Sequence, residues 1–426
     1  MNFETISVVG LGYIGLPTAA VIASRQRKVI GIDVNENVVD TINQGRIHIV
    51  EPDLDMIVHA AVSEGYLTAE SEPQPADAFL IAVPTPFIRD ASGTSHTPDL
   101  SFVQAASEGI APVLATGNLV ILESTSPVGA TEKMAEWLAQ ARPDLSFPQN
   151  DGEHSDIRIA HCPERVLPGQ VIRELVENDR VIGGMTESCT TAACALYKLF
   201  VKGECIGTTA RTAEMAKLTE NSFRDVNIAF ANELSTICHE LDIDVWELIR
   251  LANRHPRVNI LRPGAGVGGH CIAVDPWFIV DSCPERARLI RTARQVNDDK
   301  PGWVLRQVEE ALEKIQTEKP DRTIETVTVA CLGITFKPDI DDLRESPALD
   351  IAGRLSRLGC RLLVVEPHID QLPQMLNQPH VQLASVEEAL DQADIACVLV
   401  GHRAFGERVE SLKSHGQVID AVGLLA

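Results

Sequence analysis

Short apolar runs separated by amphipathic segments mark both ends of the chain. Near the N-terminus, the runs at residues 6–9 and 28–33 enclose the helical pattern LPTAAVIASRQ. Towards the C-terminus, the apolar runs are TVTVACLGITFKP, CRLLVVEPHI, ADIACVLVG and QVIDAVG. Strands that are buried on both faces of a parallel sheet read as near-continuous apolar runs. The pattern therefore predicts an α/β protein with two doubly wound sheets, one near each end.

The middle of the chain has the periodicity of one long helix. From Arg211, the segment RTAEMAKLTENSFRDVNIAFANELSTICHEL continues for about 30 residues without Gly or Pro, which corresponds to about 45 Å of α-helix. Lys217, Asn221 and Arg224 fall at i, i+4 and i+7 and share one face. That face is either a row of ligand contacts or a solvated stripe. A helix of this length commonly bridges domains or forms a dimer seam.

A second helical pattern, DVWELIRLANRHPRVN, follows the long helix. Asp244 and Glu247 have the spacing of a capping box at its start. Its end carries a basic cluster, which is suited to binding phosphate or carboxylate groups. The cluster consists of Arg250, Arg254, His255 and Arg257.

A glycine-rich turn follows the first apolar run. Gly10, Gly12 and Gly15 have the spacing GxGxxG, and Asp33 ends the second run about 20 residues later. Gly12 lets the backbone approach a pyrophosphate, and Gly15 lets the helix pack on the strand, while the helix N-terminus offers its N–H groups to the phosphates. Asp33 is placed to accept hydrogen bonds from ribose hydroxyls and to repel a 2′-phosphate. The pattern predicts a Rossmann domain that binds NAD rather than NADP.

Two further strands of the first sheet are expected to end at the cofactor crevice. The run ADAFLIAVPTPF ends at a turn that contains Thr85, and NLVILESTSPVGATEKMAEWL passes through Thr125 into a helix that Pro127 is expected to open. Both threonines are candidate NAD contacts, with turn or capping roles as the alternatives. The strand in DIRIAHCPERVLPGQ leads to Glu164 and Arg165, which form either part of a site or a surface pair.

One cysteine lies in a loop that is rich in glycine. The segment GAGVGGHCIAVDP places Cys271 behind the glycines and Asp275 four residues later. Glycines permit close backbone approaches, so a thiol in such a loop suggests a ligand next to the sulfur. The chain has 10 cysteines without a CxxC pair, which favours reduced thiols over disulfides or zinc. Most should fill core positions, and no metal site is predicted.

Length and charge narrow the possible classes of protein. With 426 residues, 45% of them hydrophobic, the chain is long enough for two or three domains. Its formal net charge of −23 argues against nucleic acid or an anionic membrane as a partner. The apolar runs are shorter than the roughly 18 residues of a membrane span, and the N-terminus shows no signal-like pattern. We therefore expect a cytoplasmic protein.

The C-terminal sheet differs from the N-terminal one in its ligand signals. The polar stretch EKIQTEKPDRTIE reads as a linker before it, and no GxGxxG follows. A second dinucleotide is therefore not expected there. Lys337 and Arg344 lie just past the carboxyl end of its first strand, the usual ligand edge of such a sheet. They are candidates for holding the phosphates of a second ligand, with ordinary surface charge as the alternative.

Assembled in order, these motifs resemble one protein family. The segments are GLGYIGLPTA, PTP, STSPVG, CPER, KLTENSFRDVNIAFANE, GVGGHCIAVDP and FKPDIDDLRESP. Over essentially the whole chain they resemble the UDP-glucose/GDP-mannose dehydrogenase family, and GGHC with HPRVNI looks like its N-acetylhexosamine branch. The resemblance implies an NAD-binding Rossmann domain at residues 1–204, a central all-helical dimerisation domain with the cysteine loop at 205–318, and a C-terminal Rossmann-like UDP-binding domain at 319–426.

The resemblance also implies a reaction. In the family, a cysteine at the position of Cys271 is the nucleophile of a four-electron oxidation, which converts the C6 alcohol of a UDP-sugar into a carboxylate with two NAD. The intermediates are a thiohemiacetal and a thioester. The branch implies UDP-N-acetyl-D-mannosamine as the substrate, with UDP-N-acetylglucosamine or UDP-glucose as alternatives, and it implies a homodimer.

By motif match, the catalytic residues of the family fall on six positions. They are Cys271, Lys217, Asn221, Asp275, Glu164 and Thr125. The resemblance implies that Lys217 stabilises oxyanions or shuttles a proton and that Asn221 positions oxygen or water. It implies that Asp275 and Glu164 handle protons carried by water.

The binding residues of the family carry over in the same way. The implied NAD contacts are Gly10, Gly12, Tyr13, Ile14, Gly15, Asp33, Thr85, Thr125 and Arg344, the last across the dimer. The implied substrate contacts are Arg165, Val166, Lys217, Asn221, Arg224, His255, Arg257, Gly264, Phe336 and Lys337, with His255 and Arg257 reaching across the dimer. Two positions depart from the family. Ala273 stands where many relatives have proline, and Val422 stands where close relatives often have a basic residue that contacts substrate.

Two other classes of protein fit part of the pattern. A two-electron β-hydroxyacid dehydrogenase also joins a Rossmann domain to a long helix with a Lys-x-x-x-Asn pair, but it has no use for Cys271 or for a C-terminal α/β domain. An NAD-sensing regulatory protein without activity would share the fold. The joint presence of Cys271, Lys217, Asn221 and Asp275 disfavours that second class.

Overall fold

The chain forms two compact units by its internal contacts. A computed structural model describes residues 3–88, 96–167, 169–269 and 271–426. The first unit comprises Met1–Glu220 with Asp281–Cys283, and the second comprises Asn221–Val280 with Pro284–Ala426. The division into three domains after residues 204 and 318 stays a prediction.

The first unit is built on a sheet of eight strands. The strands are β1 Thr5–Val9, β2 Lys28–Ile32, β3 Leu67–Glu70, β4 Ala78–Ile81, β5 Leu119–Leu122, β6 Arg158–His161, β7 Arg180–Gly184 and β8 Cys205–Thr209. They lie in the order β3-β2-β1-β4-β5-β6-β7-β8, and only the pair β6–β7 is antiparallel. Val9 pairs with Ile32, so the turn after β1 and Asp33 lie at the same edge of the sheet.

Helices cover both faces of this sheet, which confirms the predicted α/β class. They are α1 Gly15–Ala23, α2 Glu36–Asn43, α3 Leu54–Ser63, α4 Ser101–Ile110, α5 Ala130–Ala141, α6 Pro148–Asp151, α7 Val171–Glu177 and α8 Glu187–Tyr197. Alternate residues of one strand enter different cores. Leu80 packs in the core that contains Leu16 of α1, and Phe79 packs in the core that contains Met134 of α5.

The start of α5 differs from the prediction that Pro127 opens this helix. The helix begins at Ala130, and its N-cap Gly129 has a left-handed φ of +96°. The carboxylate of Glu214 accepts the backbone N–H groups of Gly129 and Thr131 at 2.7 and 2.8 Å. Because this cap comes from another helix, the local pattern around Pro127 does not reveal it.

The long helix predicted from Arg211 is present as α9, Ala210–Glu240. Its residues up to Glu220 belong to the first unit and its residues from Asn221 belong to the second. The following helix, α10 Val245–Ala252, begins as predicted at Asp244, whose carboxylate accepts the N–H groups of Trp246 and Glu247.

The second unit contains a parallel sheet of five strands, as predicted for the C-terminal end. The strands are β9 Thr328–Leu332, β10 Arg361–Val365, β11 Val381–Leu383, β12 Ile395–Val398 and β13 Val418–Asp420, in the order β11-β10-β9-β12-β13. The remaining helices are α11 Asp275–Ser282, α12 Arg288–Glu318, α13 Pro347–Leu358, α14 Val386–Gln392, α15 Arg403–Gly406 and α16 Val409–Ser414. The strand order reverses between β9 and β12, and this arrangement opens a crevice at their carboxyl ends.

The stretch EKIQTEKPDRTIE is only partly a linker, because α12 continues through it to Glu318. Val308 and Leu312 of α12 are buried, and Ile315 packs against the same C-terminal core. This apolar stripe keeps the polar segment helical. None of the helices in the described part of the chain combines the length and the apolar character needed to cross a membrane.

A buried polar cluster lies in the first unit just past β5 and β6. The Tyr197 hydroxyl donates to Glu123 Oε1 at 2.5 Å, and Arg180 donates to Glu164 at 2.7 Å. All four side chains are buried, and Glu123 Oε2 has no hydrogen-bond partner among the described residues. Burial raises the pKa of Glu123 to about 7 and outweighs the opposing effect of Tyr197.

We expect Glu123 to make stability depend on pH. The folded chain retains a proton on this carboxyl between its ordinary pKa of 4.5 and about 7. The resulting stabilisation is complete below the lower value and is lost as the pH rises through the higher one. Glu123→Gln should therefore flatten the fall in the free energy of unfolding between about pH 4.5 and 7, measured by urea denaturation. Exposed Glu64→Gln is the control, and an unchanged slope in Glu123→Gln would contradict the assignment.

Candidate active site

The turn after β1 has the backbone that a dinucleotide requires. Gly10 has a φ of +91°, and a Cβ on Gly15 would lie 1.8 Å from the Gly10 carbonyl oxygen. A Cβ on Gly12 would meet no atom within 4 Å, so the space above this residue is open. These glycines fit an NAD pyrophosphate on the N-terminus of α1. Tyr13 and Ile14 complete the turn, and Tyr13 is exposed.

Asp33 and two threonines line the same edge of the first sheet. The Asp33 carboxylate accepts the backbone N–H groups of Leu11 and Asn35 at 3.0 and 2.9 Å, which fixes its orientation at the end of β2. The Thr85 hydroxyl donates to the Thr125 carbonyl oxygen at 2.6 Å. The structure thus brings the two predicted threonines together.

Glu164 and Arg165 follow β6 and make different contacts. The Glu164 carboxylate accepts Arg180 at 2.7 Å and the Arg165 backbone N–H at 2.6 Å. The Arg165 guanidinium pairs with Glu220 at 2.6 Å. Val166 packs against the core of the first unit. Arg165 is therefore part of an ion pair within the first unit rather than an isolated cation.

Two polar residues of the second unit lie beside the cysteine loop. Asn221 donates to the Asp275 carboxylate at 2.5 Å, and both side chains are buried. The Asp275 backbone N–H donates to the Cys271 carbonyl oxygen at 2.9 Å, so one turn links the two residues at the start of α11. Cys271 is exposed. Lys217 lies four residues before Asn221 on α9, within the first unit, and His270 lies outside the described residues.

A hydrogen-bonded frame holds the cysteine loop in the second unit. Asn232 accepts the Gly264 backbone N–H at 2.9 Å and donates to Asn297 at 2.9 Å. Asn297 and Arg294 both donate to Asp225, at 2.8 and 2.5 Å. Arg294 also reaches the carbonyl oxygen of the residue after Cys271 at 3.5 Å. The frame therefore ties both ends of the loop to helices α9 and α12.

The sequence did not reveal the members of this frame. Asp225, Asn232, Arg294 and Asn297 are polar positions in helical patterns, and such positions usually face solvent. The available signal was that polar residues interrupt the apolar stripes of two long helices. Glu214, which caps α5, was missed for the same reason.

A cleft of about 430 Å³ lies between the cysteine loop and the C-terminal sheet in the second unit. Gly264, Phe336 and Val422 line it, so the departure at Val422 falls on a cleft wall. A Cβ on Gly268 would lie 2.8 Å from Phe336 Cβ, so glycine allows the loop to pack on this wall. The cleft has the size of a small-ligand site and lies at the carboxyl edge of β9 and β12.

The remaining predicted contacts lie at exposed positions. Lys337 and Arg344 follow β9, and Arg344 pairs with Asp342 of its own loop at 2.6 Å. Arg224, His255 and Arg257 are exposed in the second unit. The structure does not bring His255 or Arg257 to the Asn221–Asp275 pair among the contacts of the described residues.

One group of described residues has the spacing of metal ligands: Asp339, His368 and His402. The Nδ1 atom of His402 already accepts the Asp339 backbone N–H at 2.9 Å, and the Asp339 carboxylate accepts Arg403 at 2.7 Å. These bonds occupy the atoms that a cation would need. We therefore assign no metal to this group.

Three family profiles match successive parts of the chain. They are the NAD binding domain of the UDP-glucose/GDP-mannose dehydrogenase family at residues 4–201, its central domain at 211–299 and its UDP binding domain at 330–426. The chain belongs to this dehydrogenase family. Membership confirms the resemblance seen in the sequence, the α/β architecture and NAD as the cofactor.

Individual members of the family are similar over their full length. The NDP-N-acetyl-D-galactosaminuronic acid dehydrogenase of Ralstonia nicotianae is 63% identical over 426 residues, which cover 100% of this chain and 97% of that protein. The UDP-N-acetyl-D-mannosamine dehydrogenase of Escherichia coli K12 is 61% identical over 426 residues, which cover 100% of both. The solved structure of a UDP-D-ManNAc dehydrogenase from Pyrococcus horikoshii has a TM-score of 0.84 at 37% identity and covers 99% of this chain and 96% of that chain.

We expect the loss of Arg294 to destabilise this dehydrogenase strongly. Arg294→Met leaves the Asp225 carboxylate buried without its cation, because both side chains are fully buried. The free energy of unfolding should fall by about 3–5 kcal/mol, measured by urea denaturation. The control is Arg354→Met, which removes an exposed pair with Asp350 and should cost less than about 1 kcal/mol. Similar losses in the two variants would show that the pair does not stabilise the frame.

Proposed function

We propose that this dehydrogenase oxidises the C6 alcohol of UDP-N-acetyl-D-mannosamine to the carboxylate, giving UDP-N-acetyl-D-mannosaminuronate. The observation that carries the proposal is the exposed Cys271, which one hydrogen-bonded turn links to Asp275 of the buried Asn221–Asp275 pair. The name of the Escherichia coli relative supports the sugar. The product would serve the synthesis of enterobacterial common antigen or a related polysaccharide.

The chemistry assigned to Cys271 accounts for four electrons. When bound, NAD accepts hydride, and two equivalents convert R–CH₂OH and water into R–COO⁻ with release of three protons. Between the two oxidations, the Cys271 thiolate adds to the C6 aldehyde and forms a carbon–sulfur bond. Oxidation of this thiohemiacetal gives a thioester. Water then cleaves the carbon–sulfur bond and releases the uronate and the thiol.

Side chains from both units are proposed for the proton transfers of this route. The Asn221 amide is fixed by Asp275, so it can hold the C6 oxygen or the attacking water. Asp275 and Glu164 are the proposed acceptors for protons carried by water. Lys217 is the proposed stabiliser of negative charge on oxygen, and Thr125 is a proposed contact to the cofactor.

The binding residues of the proposal follow the family. Gly10, Gly12, Gly15 and Asp33 hold NAD, and the cleft lined by Gly264 and Phe336 in the second unit holds UDP. The other proposed sugar-nucleotide contacts are Arg165, Val166, Lys217, Asn221, Arg224 and Lys337. The proposed domains keep their boundaries at residues 204 and 318.

A homodimer completes this proposal. Helix α9 carries an exposed apolar stripe in the second unit, formed by Phe223, Phe230 and Ile237 at intervals of seven residues. Such a stripe suits a helix that packs against a second copy of the chain. In that dimer, His255 and Arg257 would contact the substrate bound to the other copy. Arg344 would contact its NAD.

A second candidate substrate is a nucleotide-linked N-acetyl-D-galactosamine derivative, since the 63% identical Ralstonia nicotianae protein carries a galactosaminuronic acid name. UDP-N-acetylglucosamine and UDP-glucose are further alternatives. These sugars differ at one stereocentre or in the acetamido group. The UDP cleft and the Cys271 chemistry serve all of them equally.

The NADH yield from a limiting sugar tests the proposed reaction directly. With excess NAD, UDP-N-acetylmannosamine should give two NADH per sugar, because both hydrides leave C6 before hydrolysis. The yield is measured from the absorbance at completion. A yield of one NADH per sugar would contradict the thioester route. No turnover, from protein that binds NAD and turns over UDP-N-acetylgalactosamine, would move the assignment to the second candidate.

Cys271→Ser tests the nucleophile. Serine does not form a thioester, so we expect no uronate and at most one equivalent of NADH per active site, measured by chromatography of the products and by absorbance. Cys283→Ser is the matched control because Cys283 is another exposed thiol, and its activity should stay within about twofold of the native chain. Full uronate production by Cys271→Ser would refute the covalent route.

A further inference from the structure

A fully buried histidine lies beneath the loop that follows β9. His402 comes directly after Gly401, which lines the cleft, and its side chain has no exposed surface. Residues 335–339, which we call the nucleotide loop, contribute Thr335, Phe336 and Pro338 to the same cleft. The histidine therefore belongs to the inner layer of the cleft rather than to its surface.

Hydrogen bonds define the tautomer of His402. Its Nδ1 atom accepts the backbone N–H of Asp339 at 2.9 Å, so this nitrogen carries no proton. In the neutral ring the proton is therefore on Nε2. That N–H faces Glu366 Oε2 at 3.1 Å and Thr335 Oγ1 at 3.3 Å.

Several hydrogen bonds hold Glu366, the partner of His402, in a fixed position. Its Oε2 atom also accepts the backbone N–H groups of Ile334 and Thr335, at 2.8 and 3.2 Å, and its Oε1 atom accepts that of His368 at 3.2 Å. Burial raises the pKa of Glu366, but the hydrogen bonds from His402 and Ile334 lower it by more than burial raises it, so the net shift is downward. The carboxylate thus connects the end of β10 to the beginning of the nucleotide loop.

The far end of the nucleotide loop depends on His402. Asp339 has a φ of +61°, a left-handed conformation that is unfavourable for a residue other than glycine. Its backbone N–H is the group that His402 Nδ1 accepts. Thr335, which contacts the other ring nitrogen, donates to the Lys337 carbonyl oxygen at 3.0 Å. One imidazole therefore holds the loop on both sides of Phe336 and Lys337.

We propose that His402 is a positioning residue that sets the conformation of the nucleotide loop and thereby the affinity for the UDP part of the substrate. The inference rests on the proposed function, because it takes Phe336 and Lys337 as substrate contacts. His402 acts through the Asp339 N–H and Thr335, and it does not touch the substrate itself.

The two ring nitrogens of His402 have different roles, so substitutions that replace only one of them should have different effects. Asparagine places an amide oxygen near the position of Nδ1, and glutamine places an amide nitrogen near that of Nε2. His402→Asn therefore retains the acceptor for the Asp339 N–H, whereas His402→Gln loses it and keeps the donor towards Glu366. A role confined to filling the core would not distinguish these substitutions in this direction.

The test is UDP binding to the full chain in the presence of NAD, measured by isothermal titration calorimetry. His402→Gln should raise the Kd for UDP by roughly three- to tenfold, the effect of one lost hydrogen bond, and His402→Asn should raise it less. The KM for the UDP-sugar should follow the Kd while kcat at saturation and the Kd for NAD stay unchanged. His415→Gln is the control, since His415 bonds two carbonyl oxygens that precede β12 and β13, at the opposite edge of the sheet.

Other outcomes would overturn the proposal. Equal UDP affinity in the two His402 variants, or a loss of kcat without a change in KM, would contradict it. If the His402 variants do not fold, Thr335→Val should weaken UDP binding and Thr335→Ser should not, and equal effects would contradict it. If the native chain oxidises the sugar and the His402 variants bind UDP as tightly as the native chain does, only the positioning role is refuted. If the native chain does not bind UDP, the proposed function is refuted as well.

Discussion

The buried ion pair between Asp225 and Arg294 is the interaction on which the geometry of the cysteine loop depends. Two charges without solvent exposure are costly, and the cost is offset only when their geometry is good and further hydrogen bonds complete it. Asn297 supplies such a bond, and the remaining Arg294 contacts reach Asp298 and the carbonyl oxygen of Ile272. Because these partners come from α9, α12 and the loop, the three segments hold one another in place.

The same principle recurs in both units: a polar side chain on one element accepts the backbone N–H groups of another segment. Glu214 caps α5 near Thr125, Asn232 holds Gly264, and His402 holds the nucleotide loop. A buried backbone N–H that is left unpaired costs free energy, so each of these bonds selects one loop conformation. The proposed functional loops of this dehydrogenase are therefore held partly by acceptors from other elements of the fold.

The sequence predicted those features that depend on local pattern. The apolar runs, the GxGxxG turn and the cap of α10 by Asp244 appear where the sequence placed them, and both sheets are doubly wound. Features that depend on distant partners were missed or wrong. The start of α5 is decided by Glu214, and the helical part of the supposed linker is decided by the packing of Ile315. The frame around Cys271 joins residues that are far apart in sequence, so no local spacing could have indicated it.

The three glycines of the NAD turn differ in the constraint that excludes a larger side chain at each position. At positions 10 and 15 a side chain would collide with the protein's own backbone, whereas at position 12 a Cβ has open space around it. The first two are therefore required by folding, whereas nothing in the described part of the fold requires the third, and the proposed NAD contact accounts for it. In a descendant that kept this fold but no longer used NAD, natural selection would continue to hold glycine at positions 10 and 15 and would release position 12. The residue at position 12 is thus a record of cofactor use that is separate from the record of the fold.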